Sequence, residues 1–110
     1  MATSLPLVIR IGDDKTLDFT FRLKSGDYLD ISGRTYTAQI RRTYSDPNVL
    51  AQFTCDVVNG PQGHLICTLS HTVTSVLRAG SAKWDLQEEY GSISNTVFSG
   101  TVSIQQEVSQ

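Results

Sequence analysis

Strict alternation of apolar and polar residues limits this chain more than any other feature. From Lys15 to Lys24, Leu17, Phe19, Phe21 and Leu23 alternate with Thr16, Asp18, Thr20 and Arg22. A repeat of two places successive side chains on opposite faces, so the stretch reads as a strand with one buried and one wetted side. The pattern returns in Thr35–Arg41, with Tyr36, Ala38 and Ile40 on one side. It returns again from Val49 to Val57, where Val49, Ala51, Phe53, Cys55 and Val57 share a face. His64–Leu69 aligns Leu65, Cys67 and Leu69, and Ala82–Glu89 aligns Ala82, Trp84 and Leu86. Thr96–Gly100 and Thr101–Glu107 complete the series, with Phe98, Val102 and Ile104 of one parity.

Turn residues separate these segments. Ser25-Gly26-Asp27, Ile31-Ser32-Gly33 and Tyr90-Gly91-Ser92 each supply a bend, and Pro47 prevents a strand from running through Tyr44–Asn48. Asn59-Gly60-Pro61-Gln62-Gly63 joins two alternating segments and predicts an antiparallel hairpin. One segment alone has helical spacing: Ser70 or Thr72 as cap, Val73, Val76 and Leu77 on one face, and Gly80 as a stop. It predicts about two turns, too short to stand without packing on the sheet. Short strands at regular intervals predict an all-β fold, specifically an immunoglobulin-like antiparallel β-sandwich of seven to eight strands with one short helix. A length of 110 residues fits one domain spanning 1–110 with polar terminal arms, Gln105–Gln110 being one of them.

Charge and apolar content exclude several roles. With 9 basic and 11 acidic side chains the net charge is −2, which argues against a dedicated nucleic-acid binder. No apolar run approaches the roughly 20 residues that cross a bilayer. Met1–Pro6 lacks the basic and apolar regions of a signal peptide, so the chain is expected to be made in a cytoplasm. In that setting Cys55 and Cys67 are expected to be reduced thiols acting as small apolar residues.

Chemistry is sparse. The glycines stand singly at turns rather than in a phosphate-cradling pattern, and no Gly-x-Ser-x-Gly motif occurs. Cys55, His64, Cys67 and His71 form the nearest approach to a zinc set. His64 and Cys67, three apart in one strand, point to opposite faces, so convergence is not expected. Asp13-Asp14 and Glu88-Glu89 are adjacent carboxylates that a strand would point apart, and are expected to be solvated. No catalytic, cofactor-binding or metal-binding residue is assigned, and the chain is expected not to be an enzyme. Tyr28, Tyr44 and Tyr90 fall at or near predicted turns and are the candidate interface residues.

Several segments together resemble a known family. Leu7-Val8-Ile9-Arg10-Ile11-Gly12 leading into Thr16–Phe21, followed by Tyr28-Leu29-Asp30-Ile31-Ser32-Gly33, resembles the opening of phage β-sandwich domains. These include the N-terminal domain of phage baseplate upper proteins and small proteins encoded beside tail-fibre genes. Ala79–Leu86 is similar to their Gly-x-Tyr-x-Tyr-Asp-Leu strand, with Trp84 replacing a tyrosine, and Phe98–Ile104 to their closing Gly-x-Val-x-Val strand. The resemblance spans roughly Leu7 to Val108 and consists of folding motifs. It implies a structural virion protein, an adaptor in the tail, baseplate or fibre-attachment network. The partners implied are other virion proteins and copies of itself in a ring or multimer, with no nucleic acid, membrane or small-molecule substrate. A capsid decoration protein and a carbohydrate-binding module using the three tyrosines are the alternatives.

Overall fold

Alternation fixes which face each strand buries, and the inward parity agrees with the observed core almost throughout. A computed structural model describes residues 3–106. Among them are eight strands and one short helix in the order β1 (Thr3–Ser4), β2 (Leu7–Arg10), β3 (Lys15–Thr20), β4 (Thr35–Arg41), β5 (Ala51–Asn59), β6 (His64–Leu69), α1 (His71–Thr74), β7 (Gly80–Tyr90) and β8 (Ile93–Gln105). Ile9, Ile40, Leu65, Leu86 and Val102 are fully buried, and Trp84 nearly so. Phe19, Phe21, Tyr36 and Phe98 form a run of stacked rings, the closest pair being Phe19 and Phe98 with centroids 5.0 Å apart.

The expected antiparallel two-sheet sandwich is not what these strands build. They form one curled, mixed sheet, a half-barrel in the order β1-β8-β7-β4-β5-β6-β3, with β2 also on β8. Two features join what alternation alone reads as separate layers. Strand β5 serves both halves: Ala51–Phe53 pair with β4, and Thr54–Asn59 pair with β6. Strand β8 runs antiparallel to β7 on one side and accepts β1 and β2 in parallel on the other, with Thr3 opposite Phe98 and Leu7 opposite Val102. Alternation states which side chains face inward. It does not distinguish two stacked sheets from one sheet bent around the same core.

Other expectations need local correction. Leu23 is 50% exposed because β3 ends at Thr20 and the chain reverses, with the Leu23 amide donating to the Asp27 carbonyl at 2.8 Å. Val49 and Val57 are 40% and 37% exposed; β5 begins at Ala51, and its register slips by a bulge between Val57 and Asn59. The two segments expected at 96–107 are one strand, β8, reaching Gln105; Glu107 and the rest of the expected C-terminal arm lie outside the described residues.

The helix is a single turn, and its cap is not local. Ser70 occupies the cap position, but its hydroxyl contacts the Thr72 hydroxyl at 2.7 Å rather than a backbone amide of the helix. The His71 amide instead donates to Asp14 Oδ1 at 2.6 Å, from the link between β2 and β3. Thr74 is fully buried in the same place: its hydroxyl donates to the Asp13 carbonyl at 2.8 Å and accepts from the Gly12 amide at 3.2 Å. These bonds seat α1 on the corner where the chain crosses from one margin of the sheet to the other. Val76, expected to share the buried face, is 77% exposed because the helix stops at Thr74.

Candidate functional site: two sheet margins and an ion-paired rim

The two margins of the half-barrel carry unshared backbone groups, and hydrogen-bond parity identifies them. The Phe21 amide donates to the Gly63 carbonyl at 2.9 Å, continuing the β3–β6 register. Residues of the same parity, Leu17 and Phe19, therefore turn both backbone groups towards β6. Thr16, Asp18 and Thr20 turn theirs the other way, and β3 has no second strand neighbour among the described residues. On the opposite margin, Leu5 and Ile11 donate to Ser99 and Gln105 of β8 at 2.8 and 2.9 Å. Pro6, Val8 and Arg10 are of the outward parity there. Pro6, which has no amide hydrogen, sits where none is needed for the ladder.

The margins meet at the Ile11–Asp14 link. Val8, Arg10, Asp13, Asp14 and Lys15 line a shallow depression of about 310 Å³ at this apex. A second, of about 240 Å³, lies between Asp14, Thr16, Thr68, Leu69 and Ser70. Asp14 is held below the usual carboxylate range, chiefly by the His71 backbone amide and then by the His71 ring. Its oxygens are thus engaged in holding α1, not in facing Asp13.

Glu88 overturns the expectation of a solvated carboxylate. It has the parity of Trp84 and Leu86, lies directly across from Tyr36, and is buried. The Tyr36 hydroxyl donates to Glu88 Oε2 at 2.5 Å, and Arg34 Nη1 lies 3.2 Å from Glu88 Oε1. Parity alone, extended two residues past Leu86, signals this burial. Burial, followed by the Glu88 bond, pushes the Tyr36 phenol well above its ordinary range. A raised value in the fold means that the stabilisation is complete below the ordinary tyrosine value of about 10 and is lost as pH rises beyond it. An alkaline titration of phenolate absorbance should therefore end in a late, cooperative step coincident with unfolding. In Tyr36→Phe that step should vanish; its persistence would show that Tyr36 is not the group concerned.

Each candidate tyrosine lies beneath a cation, but the three are not gathered. The Arg22 guanidinium is 4.3 Å from the Tyr28 ring, Arg34 is 4.2 Å from Tyr90, and Lys83 Nζ is 5.9 Å from Tyr44. Tyr44 is 55% exposed and lies over the outer face, its hydroxyl donating to the Gly100 carbonyl at 3.3 Å. Tyr90 is half-buried at the β7–β8 turn, opposite Ile93, and Tyr28 is 44% exposed in the β3–β4 connection, bridged to Arg22. Sequence reading missed Arg34, whose guanidinium links Tyr90 to the Glu88–Tyr36 pair.

Of the four residues weighed for zinc only Cys55 and Cys67 are neighbours, and no group of three metal-ligating side chains occurs among the described residues. His64 pairs with Asp18 at 2.8 Å and His71 with Asp14 at 3.1 Å, while Cys67 is buried in the core. No helix among the described residues is long and apolar enough to cross a membrane.

No family model matches the chain, and no curated protein does. Among solved structures, the N-terminal domain of phage TP901-1 ORF48 superposes with a TM-score of 0.51 at 12% identity, covering 96% of this chain and 95% of that one. The fold therefore resembles a domain of a phage protein along nearly the whole of both chains. At that identity the likeness concerns fold.

Proposed function

We propose that this chain is a structural component of a bacteriophage particle, an adaptor in the tail, baseplate or fibre-attachment network that acts by holding neighbours together. The observation that carries this reading is the fold shared end to end with a phage protein domain. The family resemblance of the Leu7–Gly33 and Ala79–Ile104 segments points the same way. Its partners are other virion proteins and further copies of the chain, and its destination after synthesis in the host cytoplasm is the virion.

The margins supply a physical means of attachment. A strand from a neighbour can add to β3 through the outward backbone groups of Thr16, Asp18 and Thr20, which gives affinity without a deep pocket. Asp18 sets the choice of partner. In an antiparallel self-pairing centred on this residue, two Asp18 carboxylates face each other, a repulsive arrangement. A partner strand with a basic residue at that place is favoured instead.

Mass spectrometry of purified particles should detect the chain in fixed ratio to tail proteins, and an image reconstruction should place it in the tail or baseplate. Its absence from particles would overturn the reading. A finer test is Asp18→Pro. The Asp18 amide points away from β6, so proline should leave the fold intact, apart from the loss of the exposed Asp18–His64 hydrogen bond. The variant should fold, by circular dichroism, yet fail to enter particles in a complementation assay. Wild-type incorporation would exclude the β3 margin as the attachment point.

A further inference from the structure

Cys55 of β5 and Cys67 of β6 are direct register partners. Their backbone relation follows from the same parity as the β3 margin. The Gly63 carbonyl accepts from Phe21, and Leu65 and Cys67, of the same parity, turn their backbone groups towards β3, so His64, Ile66 and Thr68 turn theirs towards β5. Cys55 and Cys67 are therefore a non-hydrogen-bonded antiparallel pair, the arrangement in which Cα atoms approach to about 4.5 Å and side chains are nearest. A disulfide spans Cα separations of about 4.4–6.8 Å, a range that includes the spacing of such a pair. Both thiols are free; Cys67 is completely buried and Cys55 is half-buried.

We propose that Cys55 and Cys67 constitute a redox site that reacts with a small-molecule disulfide and closes into a cross-strand bridge between β5 and β6. Cys55 reacts first. It is the more accessible thiol, and the Cys67 S–H donated to it holds it below the ordinary thiol range. Cys67 is held high by that shared bond and by burial, which keeps it protonated until the second step.

The steps balance with glutathione disulfide as oxidant. Cys55 loses its proton to solvent, and its thiolate attacks one glutathione sulfur, forming a mixed disulfide and expelling one glutathione thiolate. Cys67 then gives up its proton and attacks the Cys55 sulfur, expelling the second glutathione thiolate. Two protein thiols are oxidised, one glutathione disulfide is reduced to two thiols, and the released protons pass to the departing thiolates.

The bridge would lie on the strand common to both halves of the half-barrel, just beyond the point where β5 changes partners from β4 to β6. It would fasten that bend without altering the register. Its timing, on passage from a reducing host interior to an oxidising exterior, rests on the virion reading above, whereas its chemistry does not.

The test uses the purified, reduced full chain incubated with graded ratios of oxidised to reduced glutathione, then alkylated and weighed as intact protein. The expected product is a monomer lighter by two hydrogens, with both cysteines protected from alkylation. Its melting temperature should be at least about 5 °C above that of the reduced form. Cys67→Ser should halt at a single glutathione adduct on Cys55. A wild-type product that retains one glutathione, joins two chains, or stays fully alkylatable under the most oxidising ratio would overturn the proposal.

Discussion

Replacing Trp84 with alanine is expected to lower the unfolding free energy by about 3–5 kcal/mol, the range for deleting a buried aromatic side chain. Trp84 is 1% exposed and packs at 6.3 Å against Phe53 on β5. Its role extends beyond the core. The indole Nε1 donates to the Leu5 carbonyl at 2.8 Å, and so tethers the segment between β1 and β2. Gly100, the register partner of Trp84, makes this approach possible, since a Cβ there would collide with the Leu5 backbone. Trp84→Phe separates the two roles. It retains a large ring but leaves the Leu5 carbonyl without its donor, at an expected cost of about 1–3 kcal/mol. Chemical denaturation followed by far-ultraviolet circular dichroism measures both variants, because Trp84 is the one tryptophan and fluorescence is lost with it. Hydrogen exchange should also show faster exchange at Leu7–Arg10 in each. An unchanged midpoint in Trp84→Phe would show that the tether contributes nothing.

Gly63→Val should be nearly as damaging. Gly63 has φ +66°, a left-handed conformation costing a side-chain-bearing residue about 1–2 kcal/mol. Its missing Cβ would also stand 2.6 Å from the Phe21 carbonyl oxygen and 2.7 Å from that of Leu29. Both are backbone atoms held in place by neighbours: Phe21 donates to Gly63, Leu29 to Phe21, and Ile31 to Gly60. Relieving the collision must separate the Phe21–Ile31 segment from the β5–β6 turn, which adds about 1–3 kcal/mol of overpacking. The expected total is about 2–5 kcal/mol, read from the denaturation midpoint. Gly26→Val provides the control: its φ is +94°, but no atom lies within contact distance of the added carbon. If both substitutions cost the same, the strain is conformational and the close approach is irrelevant.

The parts legible in the sequence were those governed by neighbouring residues. Thr35–Arg41 is a strand with the expected inward set of Tyr36, Ala38 and Ile40, and the Asn59–Gly63 turn joins an antiparallel pair. What stayed hidden depends on residues distant in the chain. Nothing local reveals that Leu7–Arg10 lies parallel to β8, or that Ala51–Asn59 divides its length between two partners. Asp14 is solvated as expected, but its bond to the His71 amide at the start of α1 could not be read from the sequence. Glu88 is the instructive case, because it shares the parity of Trp84 and Leu86, whereas its charge suggested solvent. The resolving partners, Tyr36 and Arg34, come from β4 and the residue before it. On the β3 margin, Thr16, Asp18 and Thr20 lie on the wetted face, as their alternation with Leu17 and Phe19 indicates. That their amides face outward as well became visible only with the β6 register.

The placement of β8 between β2 and β7 also governs when the molecule can fold. Leu7 and Ile9 pair with Val102 and Ile104, residues from the far part of the sequence. An emerging chain lacking β8 leaves one margin of β7 without its ladder and the inner face of β2 uncovered. Closing such distant contacts is entropically slow, which places folding in the millisecond-to-second regime of β-rich topologies. Nascent copies on one message therefore spend their synthesis time with unpaired strands exposed, and completion of β8 is the event that removes that hazard.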